Sequence, residues 1–201
     1  MRRWVWTLGA GIAFLAGCVD STKPLVDPQK AKPDKQLLGL WRHVAEDGRI
    51  SFYHIGQAGD QWPDGVFRVV GVSHHEGQLD PAAEMLLFVS QVGEKTYLNI
   101  AELKPGLVEK IKEKGWETVE GYFIWRYQID AGRLTIWPMD NDAKRQAIET
   151  GKLKGEISTG RFRTAKFTDT AENLVRFLSE AGDSLLSKDP VRLERVPLSG
   201  R

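Results

Sequence analysis

Leu37-Leu38-Gly39-Leu40-Trp41-Arg42-His43-Val44-Ala45 and Arg49-Ile50-Ser51-Phe52-Tyr53-His54-Ile55 are two β-rich runs joined by Glu46-Asp47-Gly48. A short connection ending in Asp-Gly between two such runs is a hairpin signal. The same grammar repeats along the chain. Val66–Ser73 is a third β-rich run. Glu84–Val92 and Lys95–Ala101 flank Gly93-Glu94, and Tyr122–Ile129 and Arg133–Trp137 flank Asp130-Ala131-Gly132. Val191–Val196 is the last run. Short strands at close spacing predict an antiparallel meander that closes into a β-barrel or packs as a sandwich. On the run from Tyr122, the residues Phe123, Trp125, Tyr127 and Ile129 share one face, because successive side chains on a strand alternate sides.

Three helices interrupt the strands. Pro105–Lys114 places Leu107, Val108 and Ile111 on one face and stops at Gly115. Asn141–Thr150 follows Asp140, a candidate N-cap, and stops at Gly151. The third starts with Asp169 as N-cap and Glu172 three residues on, a capping-box spacing. Its apolar stripe is Leu174, Val175 and Leu178, and Gly182 ends it. The expected class is therefore mainly β (α+β by content), an antiparallel meander barrel with two or three inserted helices.

Gly39-x-Trp41 on the first strand, followed by a meander of hairpins, resembles the lipocalin-like (calycin) barrels. The resemblance runs from about 37 to 198 and implies that Trp41 closes one end of the barrel. It also implies that a basic residue near the last strand, here Arg195, packs on that ring. A guanidinium over an indole face is a favourable contact. Lipocalins place one helix beside the barrel, whereas helices are inserted here before the last strands.

The amino terminus carries a different signal. Arg2 and Arg3 precede an uncharged apolar run from Trp4 to Leu15. That is the order of a secretory signal. The run is about 12 residues, short of the ~20 a helix needs to cross a bilayer. It ends Leu15-Ala16-Gly17-Cys18, which resembles the lipobox of bacterial lipoproteins. By that resemblance residues 1–17 are a signal peptide, a diacylglycerol joins the Cys18 thiol, and the bond before Cys18 is cut. Val19, rather than Asp, follows the cysteine and leans toward the outer over the inner membrane. Cys18 is the only cysteine, so the chain has no internal disulfide. Residues 18–36, poor in large apolar side chains and containing Pro24, Pro28 and Pro33, read as a lipidated flexible tether. The barrel domain is 37–201.

The chain holds 28 basic and 27 acidic residues; removing Arg2 and Arg3 leaves 26 against 27. This near-neutral balance argues against nucleic acid as a partner. His74-His75-Glu76, with Asp80, is conceivable as a metal or acid–base site, but reads better as a polar surface turn, since adjacent side chains point to opposite faces. Asp140-Asn141-Asp142 starts like a calcium loop but has Arg145 and Gly151 where Gly and Glu are required, so helix capping is the better account. Asp60 and Asp64 beside Trp62 sit in a turn-rich loop. Gly-x-Ser-x-Gly is absent from the sequence. No catalytic residue, metal site or cofactor is expected. The expected function is binding: a small apolar molecule lined by Phe123, Trp125 and Tyr127, or an envelope protein on the surface. An enzyme acting on envelope material, or a structural envelope lipoprotein, are the alternatives. The expected partner in every case is a membrane, through lipid on Cys18.

Overall fold

The computed structural model describes residues 19–159 and 163–197. The expected signal sequence and Cys18 lie outside the described residues. The strands are β1 (Gly39–Val44), β2 (Ile50–Gln57), β3 (Val66–His75), β4 (Gln78–Leu79), β5 (Ala83–Val92), β6 (Lys95–Glu102), β7 (Phe123–Asp130), β8 (Arg133–Trp137), β9 (Gly155–Ile157), β10 (Ala165–Phe167) and β11 (Val191–Val196). The helices are α1 (Leu107–Lys114), α2 (Asn141–Glu149) and α3 (Ala171–Ala181). Eight strands close into an antiparallel barrel in the order β1-β2-β3-β5-β6-β7-β8-β11, and β11 pairs back with β1. This is the expected meander, with helices inserted after β6, after β8 and before β11.

Alternation along the strands sorts the core into two layers. Trp41, Tyr53, Ile55, Phe67, Val69, Met85, Leu87, Leu98, Ile100, Phe123, Trp125, Tyr127, Leu134, Ile136 and Leu193 fill the barrel interior with Leu37. The outward residues of β5, β6 and β7, among them Leu86, Phe88, Tyr97, Ala101 and Ile124, form a second core. Leu107 and Ile111 of α1, Ala147 of α2 and Leu174 and Leu178 of α3 cover it. These central strands are therefore buried on both faces and read as continuous apolar runs, such as Met85-Leu86-Leu87-Phe88. The outer faces of β1 and β2 carry no such cover among the described residues: Val44 is 55% and Phe52 38% exposed.

Residues 19–36 depart from the expected tether. They form a strap laid along the barrel. Asp20 N and Ser21 N donate to Tyr122 O, Tyr122 N donates to Ser21 O at 2.7 Å, and Phe167 N donates to Asp20 O. Leu25 is buried in the outer core, and its N–H donates to Asn99 Oδ1 at 2.7 Å. Asp27 and Asp34 cap short 3-10 turns at Pro28–Lys30 and Lys35–Leu37. The segment lacks large apolar side chains, and it is held by polar groups that a hydrophobicity count does not register.

Smaller differences have local causes. Thr170, not Asp169, is the N-cap of α3: its hydroxyl accepts from Asn173 N. Asp169 instead accepts from Lys154 N, Thr170 N and the Asn173 side chain. His74 and His75 lie on β3, not in a turn, and pair with β4; the turn is Glu76-Gly77, where both residues have positive φ. α1 begins at Leu107 rather than Pro105.

Candidate functional site: the barrel interior, its two ends and the outer clefts

The antiparallel order gives the barrel two distinct ends. At one end lie the β2–β3, β5–β6 and β7–β8 connections and the strap residues just before β1. At the other lie the β1–β2 turn, the β3–β4–β5 turns, and the β6–β7 and β8–β11 connections.

The first end is closed. Leu37 is fully buried in the interior cluster. Trp41 is fully buried, and its indole N–H donates to Leu37 O at 2.7 Å. The Arg195 guanidinium lies 4.3 Å from the Trp41 ring centre, donates Nη1–H to Leu38 O at 2.6 Å, and donates through Nη2 to Gln36 O. Gly39 sits beneath it at φ +130°, where a Cβ would stand 2.8 Å from Arg195 Nη1. So the structure brings Gly39, Trp41 and Arg195 together, and glycine is required by both backbone and space. Tyr127 donates its hydroxyl to Asp34 Oδ2 at 2.7 Å. Burial, then that bond and the Asp34 charge, raise the Tyr127 pKa well above its ordinary value. Its polar tip is thereby committed to holding the strap.

The second end is polar. Odd-numbered positions of β2 face inward, and register places His43 beside Ser51 and Ser51 beside Ser73. The two serine hydroxyls are 2.8 Å apart. Tyr53 follows on the same face; burial pushes its pKa up to about 12, against a Ser51 hydrogen bond and the nearby Arg49 charge. His43 Nδ1 donates to Arg192 O at 2.9 Å, which sets its tautomer. Sequence reading missed this ring. Its signal was the alternation Arg49, Ser51, Tyr53, Ile55, polar at the rim and apolar within.

Between the two ends the barrel is filled. The remaining cavity, lined by Tyr53, Ile55, Val69, Met85, Leu87, Leu98, Ile100, Trp125, Leu134, Ile136 and Leu193, is ≈ 30 Å³. A small-molecule pocket takes about 300–1,000 Å³; this one is near the volume of a single water. Trp125 lines it, Phe123 packs on Trp125 with ring centres 5.4 Å apart, and Tyr127 lies outside its lining.

Larger hollows lie outside the wall. A cleft of ≈ 500 Å³ separates α2 from α3, lined by Ala143, Ala147, Phe177, Ala181 and Leu185 with Arg176, Glu180 and Lys152. A second, ≈ 660 Å³, lies between α3, the strap at Leu25–Lys30 and the β5–β6 turn.

The other sequence candidates sit apart. Asp140 caps α2 by accepting from Ala143 N at 2.8 Å, and Asn141 holds Arg163 O and Ala165 N. Asp60 and Asp64 are exposed, while Trp62 packs on Trp116 at 5.4 Å. Among the described residues, no group of three or more His, Cys, Asp or Glu side chains is placed to hold a metal ion, and no helix is long and apolar enough to cross a membrane. No protein-family model, curated protein or solved structure matches the chain.

Proposed function

We propose that this chain is a lipid-anchored envelope protein that binds a protein partner on its outer surface. Export, cleavage before Cys18 and acylation of that cysteine are supported by Arg2-Arg3, the Trp4–Leu15 run and Leu15-Ala16-Gly17-Cys18; Val19 favours the outer membrane. A closed barrel of this kind is compatible with a small-ligand module. The observation that carries the surface reading is the filled interior: ≈ 30 Å³ of apolar space is too small for a ligand of ordinary size, while clefts of ≈ 500 and ≈ 660 Å³ flank α3 outside. Those clefts combine apolar residues such as Val175 and Phe177 with charged ones such as Arg176 and Glu180, a mixture that protein-binding surfaces share.

Native mass spectrometry of the mature chain purified from its own envelope tests this. The expected mass is that of residues 18–201 plus an acylated glycerol, with no retained small molecule. A stoichiometric apolar ligand would overturn the surface reading, and an unmodified Cys18 would overturn the anchor.

A further inference from the structure

The end of the barrel that carries the β1–β2 and β3–β4 turns is where the chain enters the structure. Val19 packs against the interior cluster and occupies the space over Gly121, where a Cβ would meet its Cγ2 at 2.3 Å. Asp20 and Ser21 are hydrogen-bonded to Tyr122, the residue that leads into β7. Val19, the first described residue, is thus fixed at this end, and consecutive Cα atoms are only about 3.8 Å apart. On the far side of the same end, the barrel exposes an apolar rim. Val44 faces Ile50, Ile50 faces His74, and His74 faces Leu79 across four strands. Phe52 and Val72 form the next row, flanked by Arg42 on β1. Leu79 is 71% exposed and Val44 55%. Leu79 is carried there by β4, a two-residue strand behind the tight Glu76-Gly77 turn. Large aliphatic side chains at the tip of a short hairpin gain nothing from water, and among the described residues none covers Leu79 or Val44.

We propose that this rim docks on the lipid bilayer, with Leu79, Val44 and Ile50 entering the headgroup region and the barrel axis steep to the membrane. The proposal rests on acylation of Cys18. Because the strap leaves no tether, an acyl chain on residue 18 draws this end, and no other, onto the lipid surface. The apolar face of an interfacial helix sinks about 5–10 Å into the headgroup/acyl boundary, and the rim side chains would occupy the same zone. The clefts flanking α3 remain in water, free for a partner.

Since Cys18 is the only cysteine and its thiol is consumed by lipid, Leu79→Cys creates a unique labelling site. The lipidated full chain carrying an NBD fluorophore at this position is reconstituted in vesicles of phosphatidylethanolamine and phosphatidylglycerol. Glu180→Cys, on exposed α3, is the reference. The expected result is a blue shift at position 79, with quenching by bromine-bearing acyl chains, and an aqueous spectrum at position 180. Vesicle-bound protein whose position-79 probe matches the reference overturns the rim while leaving the anchor intact. A blue shift that depends on protein concentration and not on vesicles makes the occupant a second copy and also overturns it. Protein that carries no lipid mass and does not float with vesicles removes the anchor, and the rim falls with it.

Discussion

Lys144→Met is the most informative single change. Lys144 Nζ donates to Asp20 Oδ1 at 2.5 Å, and both side chains are 5% exposed. Asp20 Oδ2 also accepts from Ile124 N at 2.9 Å, so one carboxylate joins the strap, the barrel wall and α2. Removing the ammonium leaves a buried carboxylate with a single backbone donor. Breaking a buried pair from one side costs about 3–5 kcal/mol, a large share of the 5–15 kcal/mol that a domain has in total. For a chain of this size that is about 10 °C in melting temperature. Urea unfolding of residues 19–201, followed by Trp fluorescence, reads it as a lower midpoint at unchanged slope. Asp20→Asn combined with Lys144→Met costs less than the two single changes added together, because the pair acts as a unit. Hydrogen exchange supplies a second readout: the Ser21 and Thr22 amides, bonded to Tyr122 O and Phe167 O, lose protection before the barrel does. A loss below about 1 kcal/mol, the scale of an exposed ion pair, would mean that the strap is loose. It would also remove the reason for placing the barrel end at the membrane.

Other changes probe separate joints. Gly39→Ala costs about 1–3 kcal/mol, because φ is +130° and the new Cβ crowds Arg195; adding Arg195→Met recovers only the crowding part, measured as the difference in urea midpoints. Asn99→Leu strands the buried Leu25 N–H and costs about 1–3 kcal/mol, with faster exchange of the Leu25 amide as its signature. Trp125→Ala removes a wall of the ≈ 30 Å³ cavity; it costs about 3 kcal/mol and gives the barrel a measurable affinity for benzene or xenon that the native chain lacks. Asp169 is held down to about 2 by the Lys154 N–H first, then the Asn173 side chain and the Thr170 N–H. Its folded pKa is below the unfolded value near 3.9, so its stabilisation is complete above about pH 4 and is lost as pH falls through 2. Acid titration of Asp169→Asn shows a shallower loss across that window.

The barrel was legible because its signal is periodic. Phe123, Trp125, Tyr127 and Ile129 alternate with Ile124, Arg126 and Gln128, and the structure puts the first set inside. Gly39, Trp41 and Arg195 were readable through the resemblance to lipocalin-like barrels, and the structure brings them together. The strap was not legible. Its anchors are Asp20, Asn99 and Lys144, polar residues whose partners lie 74 to 124 positions away. A composition argument treats such a segment as unable to offset its ordering entropy. In the structure charge-assisted hydrogen bonds, two of them at one buried carboxylate, supply what apolar area does not.

The same distinction separates the interior from the surface as a site. A face of Phe, Trp and Tyr looks alike in sequence whether it lines a cup or fills a core, because alternation reports burial and not the volume left over. Volume is decided by what enters from elsewhere, and here that is the strap. Leu37 and the Asp34–Tyr127 bond seal one end, Trp41 and Phe67 fill the depth, and Trp125 takes most of what remains. A chain that ties its own amino-terminal segment across a barrel end has used that opening for stability. Among the described residues, what remains uncovered is outside: the clefts beside α3, and at the end of the barrel that Val19 enters, a rim carrying Val44 and Leu79. A small ligand entering by the closed end would require residues 34–38 to move, and Asp34 would lose its bond to Tyr127. That cost supports the proposal that the outer surface, and not the interior, binds the partner.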